Sequence, residues 1–267
     1  MPLCGKLRAW ADSRHSKEDS KHTRIMNSNA AKAQLEEPLD PLMLFCRCLV
    51  ALAVFALALA ASLFIPAGTM NWVMAWAYIG VWALGGLIMT PIFIRVNPEV
   101  VTERLRLRKR AAKTKDVALG SMMGAFWILG LVTAGFDQRF GWSPLVPLPL
   151  QLVGLAIMGT GYLLGVWAML VNRFFAWFVR IQKDGGHQAV TTGPYQFVRH
   201  PGYVGGIAMM IATPVILGSL WAFIPMGLAT CLLVFRTVVE DRTLREELDG
   251  YGEYVQKVHY RLLPGVW

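Results

Sequence analysis

Charge is what this sequence lacks. Of its 267 residues, 16% are Asp, Glu, Lys or Arg, against about 25% in soluble domains, and the deficit is concentrated. Residues 48–94, 117–136, 140–172 and 204–235 contain no charged side chain at all. A bilayer core about 30 Å thick takes about 20 apolar residues per helix. Lipid offers no hydrogen bonds to a bare backbone, so such runs must be helical, and a soluble fold is excluded. Cysteine is also scarce: Cys4, Cys46, Cys48 and Cys231 have neither metal-ligand spacing nor a disulfide pattern. Cys46 and Cys48 flank Arg47 at the mouth of the first apolar run, as plain apolar residues or as sites of reversible acylation. No strand followed by Gly-x-Gly-x-x-Gly is evident, nor any internal repeat. The first apolar run starts near Leu42 and is too long for the core of a secretory leader.

What is present is apolar bulk, with 55% hydrophobic residues, 10 Trp and 13 Met. Residues 1–41 are the exception. They are polar, mixed in charge and too poor in large apolar side chains to offset the entropy of ordering, so they read as a disordered tail. Helices are expected over 42–65 and 70–94, separated by Pro66-Ala67-Gly68. Two more are expected over 117–136 and over 150–171, the latter after Pro144, Pro147 and Pro149, which suit a loop or a helix start. The stretch 204–235 is too long for one span and short for two. Gly218-Ser219 in its middle predicts a tight hairpin of two short helices, interrupted by Pro214 and Pro225. The fold class is therefore all-α: a polytopic membrane helical bundle of five to six helices, ending in a helical hairpin.

Basic residues set the orientation. Residues 1–41, 95–116, 172–201 and 236–267 together carry 24 Lys and Arg, whereas the three opposite loops carry only Arg139. The positive-inside rule places both termini in the cytoplasm. The net charge of +9 follows from this orientation beside anionic lipid, and nucleic acid is not needed to explain it. Gly161 and Gly165 form a Gly-x-x-x-Gly pair in the fourth helix, and Gly159 and Gly161 a Gly-x-Gly. Close helix packing and the approach of a cofactor are the two readings.

Two cytoplasmic segments could carry chemistry. The first holds Asn172-Arg173-Phe174-Phe175, Gln182, Gly185-Gly186-His187-Gln188-Ala189-Val190, Gly193-Pro194-Tyr195 and Arg199-His200-Pro201-Gly202-Tyr203. Its glycine and proline clusters break any continuous helix, leaving backbone and side chains to meet a polar ligand at the bilayer surface. The second holds Glu240-Asp241-Arg242 and Arg245-Glu246-Glu247, then Tyr251, Tyr254, Tyr260 and Arg261. On a helix Arg242 and Glu246 face the same way, and could set a guanidinium beside a carboxylate. An isolated pair of this kind is ordinarily a solvated surface contact of little worth. Arg199-His200 alone could equally anchor lipid head groups.

Taken jointly, Gly193-Pro194-Tyr195, Arg199-His200-Pro201-Gly202-Tyr203, an uncharged hairpin, Arg242-x-x-x-Glu246-Glu247 and a late Tyr followed by Arg261-Leu262-Leu263-Pro264 resemble the isoprenylcysteine carboxyl methyltransferase family. Asn172-x-Phe174-Phe175, Gln182 and Gly186-His187-x-x-Val190 look like its prokaryotic-type members. The resemblance covers about 150–267. It implies N-terminal transmembrane helices over 42–136 and a methyltransferase-like region over 137–267, with a cytoplasmic site for S-adenosylmethionine. By position, the family's cofactor contacts fall on Gln182, His187, Gln188, Ala189, Val190, Tyr195, His200, Pro201, Gly202, Tyr203 and Glu246. Arg242 matches the arginine that meets the substrate carboxylate. No metal is implied. The acceptor would be a lipophilic or prenylated molecule reaching the site from the membrane lipid. A carboxylate nucleophile is already ionised at neutral pH and needs no base, so positioning is the main task, and an Arg fork suits it.

Two other chemistries share parts of this pattern. Phospholipid N-methyltransferases pair membrane helices with a late Glu-Glu, but an ammonium cannot attack until it loses a proton. Sterol-type NADPH-dependent reductases resemble the chain around Arg199-His200-Pro201, yet carry Asn before the Tyr and an acidic residue after it, where Gly202 and Val204 stand here. A non-enzymatic scaffold is the third reading.

Overall fold

In a computed structural model, the described residues are 40–97, 101, 114–175 and 188–267. The expected tail, and the candidates Gln182 and His187, lie outside them except for residues 40 and 41 at the tail's end. All regular structure among the described residues is helical. Helix α1 is Pro41–Ala67, α2 Val73–Val96, α3 Thr114–Phe140 and α4 Leu148–Val171. A 3₁₀ turn at Gly193–Gln196 leads to α5, Pro201–Leu217, then α6, Phe223–Glu247, and the short α7, Tyr251–Lys257. Five of these are long and apolar enough to cross a membrane, and α5 is a shorter apolar helix. The protein is thus a multi-pass membrane protein. Residues 44–267 form one compact unit. Of residues 1–43, those described begin α1, where Leu42 N–H donates to Asp40 Oδ1 at 3.1 Å.

Several helix ends differ from expectation. Pro66 sits inside the last turn of α1, and the break falls at Gly68, whose φ of 67° a side chain would disfavour. Its N–H closes the helix onto Phe64 O at 3.0 Å. The hairpin forms where expected, at Gly218 with φ 70°, but its two helices are unequal. Pro214 lies within α5, and Pro225 falls in the first turn of α6, where no N–H is needed. Helix α6 therefore runs unbroken for 25 residues to Glu247. Asp137 ties this end together, accepting from Ser143 N–H at 2.7 Å and Ser219 Oγ at 2.5 Å.

The bundle is organised around the α4–α5 pair, its most extensive helix contact. A Cβ on Gly205 would lie 2.3 Å from the carbonyl oxygen of Gly161, and one on Gly161 2.8 Å from that of Gly205. The glycines let the two backbones touch, which is the packing reading of Gly161. Helix α6 runs against α3 and α5, and α2 against α4 and α5. The packed core occupies one half of the bundle: Leu59 and Leu63, Ala75 and Tyr78, Leu131, Met158, Ile216, Leu217 and Met226 are all fully buried there. In the other half the same helices stand around a cavity.

Candidate active site

The site is assembled where α5 begins. Arg199 and His200 run extended beside the C-terminal segment, their N–H groups donating to Tyr260 O at 2.9 Å and Arg261 O at 3.0 Å. Pro201 then starts α5, a position that needs no N–H donor. Arg199 turns inward and forms a two-pronged ion pair with Asp241 of α6, Nε to Oδ1 at 2.8 Å and Nη2 to Oδ2 at 3.2 Å. Its Nη1 donates to Val258 O and His259 O at 2.8 and 2.7 Å. Asp241, 1% exposed, also accepts from Tyr251 Oη and Arg261 Nε, both at 3.0 Å, and pairs with Arg245 at 3.2 Å. One buried carboxylate thus fastens α5, α6, α7 and the C-terminal segment. Buried ions persist only when paired and hydrogen-bonded, and this one is.

Beside that hub lies a second polar cluster, facing the cavity. Tyr203 Oη donates to Glu240, and Arg236, one turn earlier on α6, lies with its guanidinium 5.8 Å from the Tyr203 ring centroid. Arg236 also holds Asp116 of α3 in a fork, Nε to Oδ1 at 2.9 Å and Nη2 to Oδ2 at 3.2 Å. His200 stacks on Tyr203, rings 5.6 Å apart and 9° from parallel. Its Nε2 is buried with no hydrogen-bond partner among the described residues, standing 3.6 Å from Asp241 Oδ1, beyond hydrogen-bond reach.

This cluster caps an apolar cavity of about 480 Å³, within the usual range for ligand pockets. Arg236, Tyr203 and Gly202 line it at one end. Its walls come from α1 (Leu52, Phe55), α2 (Trp82, Met89), α4 (Gly165, Met169) and α5 (Gly206, Met210).

The candidates read from the sequence part company here. Of His200, Pro201, Gly202 and Tyr203, the last two line the cavity, and His200 stacks on Tyr203. Tyr195 is buried elsewhere, in a cluster with Ala168, Leu248, Tyr251 and Tyr254. Its hydroxyl is held by Asn172 Nδ2 at 3.1 Å and faces Ala168 O at 3.4 Å, and its carbonyl accepts from Tyr254 Oη at 2.7 Å. Burial pushes the phenols of Tyr195, Tyr251 and Tyr254 well above their ordinary range, so all three remain protonated. Ala189 and Val190 pack on that cluster. Gln188 is exposed and, with Ala189, lines a separate groove beside Tyr254 and Lys257. Arg242 and Glu246 do face the same way, Nε to Oε1 at 2.8 Å, but their side chains are 80% and 58% exposed.

Asp116 and Arg236 were not singled out in the sequence, and Glu240 and Asp241 were named there without a role. The signal was there. Arg236-x-x-x-Glu240-Asp241 repeats the Arg-x-x-x-Glu-acidic spacing six residues earlier than Arg242-x-x-x-Glu246-Glu247. Arg236 is also the first charge after the uncharged run 204–235, and an ionisable residue at membrane depth is a functional candidate by default. On one helix, 236 and 240 share a face that 242 and 246 do not.

Comparison with known proteins bears on the same region. Residues 150–249 match the family model described as "Phospholipid methyltransferase". Two rice proteins, from Oryza sativa subsp. indica and subsp. japonica, are each named "Probable protein-S-isoprenylcysteine O-methyltransferase". Each is 28% identical over 110 residues, which are 40% of this chain and 58% of the relative. The chain therefore spans less than two thirds of these relatives' length. The match runs from within α4 through the hairpin to the end of α6, taking in Arg199 to Tyr203 and Arg236 to Glu246. Through these residues the chain is similar to membrane methyltransferases of the phospholipid and isoprenylcysteine type.

Proposed function

We propose that this protein transfers a methyl group from S-adenosylmethionine to a lipophilic acceptor whose apolar part occupies the cavity. The observation that carries the reading is the cavity's asymmetry. One end carries Arg236 and Tyr203, on which His200 stacks with an Nε2 that has no hydrogen-bond partner among the described residues, and the remainder is hydrocarbon-like. His200 and the half-buried Glu240 carboxylate fit a polar, positively charged cofactor, since they supply an imidazole nitrogen and a negative charge on either side of Tyr203, which both contact. Gln188 to Val190 would extend that contact from the preceding segment, with Gln182 and His187 as further candidates. When bound, the cofactor supplies an electrophilic methyl on sulfur.

The remaining work belongs to the chain's own side chains. Arg236 orients the acceptor's carboxylate through its fork, in exchange with Asp116. Because Arg236 lines the cavity and its spacing partner Glu240 accepts from Tyr203, another lining residue, this pair takes the roles that the resemblance laid on Arg242 and Glu246. Tyr203 holds Glu240 in place, and the Arg199–Asp241 hub holds the start of α5 on α6. The apolar walls keep water from the reacting atoms, which strengthens every charge interaction within. The site and both termini face the cytoplasm in this reading, where the cofactor is soluble and the acceptor enters from the bilayer.

A second reading has an observation of its own. Among the described residues two carboxylates, Asp116 and Glu240, act on Arg236, and either could receive a proton from an amine acceptor. Calorimetric titration of the full-length protein in lipid nanodiscs tests the shared core of both readings. S-adenosylhomocysteine should bind, Glu240→Gln should weaken it at least tenfold, and NADPH should not bind. Binding of NADPH in place of S-adenosylhomocysteine would refute methyl transfer and support a reductase.

A further inference from the structure

Along every helix that surrounds the cavity, lining residues occupy one half and core residues the other. On α1 the lining runs from Cys48 to Phe55 and the core from Leu59 to Ala67. On α2 the core ends at Ile79 and the lining starts at Trp82. On α4 the core residue Met158 precedes the lining residue Tyr162, and on α5 the lining ends at Met210 and the core starts at Ala212. The boundary falls at one level, and aromatic rings occupy it. Phe55 meets Trp82 edge-on at 5.5 Å and Trp82 meets Tyr162 edge-on at 5.9 Å. Trp127 of α3 backs the group, stacked on Phe55 at 6.0 Å and edge-on to Trp82 at 6.2 Å.

From this arrangement we infer that Phe55, Trp82 and Tyr162, backed by Trp127, form the floor of an acyl-chain ruler that limits the length of the acceptor's tail. The inference rests on the proposed lipophilic acceptor and deepens it. Three of the four residues lie outside residues 150–249, which match the family model, so the N-terminal helices contribute to this end of the cavity. The occupant is a hydrocarbon tail because the walls offer it little else, and its anchored end is polar because Arg236 and Tyr203 stand at the mouth. From Gly202 to Met210 the lining spans about 12 Å at the helical rise, enough for a straight tail of roughly ten carbons. Interlocked rings are a rigid stop. Edge-to-face pairs resist displacement beyond their area of contact alone, whereas aliphatic side chains would yield to a longer tail.

Gly165 offers a way to move the floor. It lines the cavity one turn nearer the mouth than Tyr162, and a Cβ there meets nothing within 4 Å. Gly165→Leu should therefore fold normally and shorten the cavity by about 4.5 Å, roughly three carbons. Trp82→Ala should lengthen it. The test uses the full-length protein in phosphatidylcholine nanodiscs and straight-chain carboxylic acids of eight to eighteen carbons, each with a photoreactive diazirine at the tail end. Cross-linked residues are identified by mass spectrometry, and methyl esters are counted in parallel from labelled S-adenosylmethionine. Acids of about ten to twelve carbons should label Phe55, Trp82 or Tyr162, and in Gly165→Leu the longest such acid should shorten by about three carbons. Methyl esters formed at every length without a shift in Gly165→Leu would overturn the ruler and leave the methyltransferase reading standing. Floor labelling with the predicted shift but no methyl ester would uphold the ruler and sink that reading. Label found only on outward-facing residues such as Leu57 and Leu84, or floor labelling equally strong from a tail-labelled phosphatidylcholine, would overturn the ruler, the second by showing a general lipid pocket.

Discussion

Arg236 and Arg242 stand six residues apart on one helix, each four residues before a glutamate, and the structure predicts opposite consequences for replacing them. Arg236 is buried and forked onto Asp116. Arg236→Ala would strip the buried Asp116 carboxylate of its guanidinium fork, at a cost of about 3–5 kcal/mol, and would confuse lost folding with lost function. Arg236→Lys is the cleaner perturbation. It keeps the charge and gives up the planar fork, so one charge-assisted hydrogen bond to the acceptor is lost, worth about 1.5–3 kcal/mol. At about 1.4 kcal/mol per tenfold, kcat/KM should fall roughly 10- to 150-fold. Arg242→Lys keeps a loose, solvated contact with Glu246, and such pairs contribute little. Its kcat/KM should stay within about threefold of the parent. The assay is transfer of labelled methyl to a lipophilic carboxylic acid in nanodiscs, with thermal unfolding in parallel to confirm that both variants are folded. The reverse result, Arg242→Lys crippled and Arg236→Lys unaffected, would refute the argument and move the acceptor to the exposed face of α6.

Other expectations concern the scaffold. Asp241→Asn breaks the carboxylate shared by Arg199, Arg245, Arg261 and Tyr251, and should cost about 3–5 kcal/mol, seen as a large fall in Tm; an unchanged Tm would mean that the hub is dispensable. Gly205→Ala puts a methyl against the Gly161 carbonyl, so α4 and α5 must part; the variant should lose its monodisperse elution on size exclusion, and a normal profile would contradict the close contact. Orientation is tested with the chain's own cysteines replaced by Ser. A Cys at the exposed position Gln196 should react with a membrane-impermeant maleimide only from the cytoplasmic side, and one at Gln138 only from the other.

Two levels of information are separable in this protein. Span count and helical character were legible in the sequence because lipid leaves the backbone no alternative to internal hydrogen bonds, so uncharged length alone dictates helix. The hairpin at Gly218-Ser219 was legible for a similarly local reason, a residue able to take positive φ between two apolar runs. His200, Pro201, Gly202 and Tyr203 could be read as a group because they are adjacent in the chain and enter one helix together. The length of α6 could not, since a proline in a first turn and a proline in an interior look the same until the helix start is known.

Tertiary structure decided which Arg-x-x-x-Glu has its arginine in the cavity wall and which is exposed. Spacing says which side chains share a helix face, and both pairs satisfy it equally. Which face looks inward depends on how α6 is rotated against α3 and α5. That rotation is set by contacts far away in sequence: Asp116 across to Arg236, Tyr203 to Glu240, and Arg199 to Asp241. The cavity is of the same kind. Its apolar walls are indistinguishable in composition from the packed half of the bundle, because both are built from Leu, Met, Phe and Trp. Only the assembled helices show where side chains meet and where they leave room.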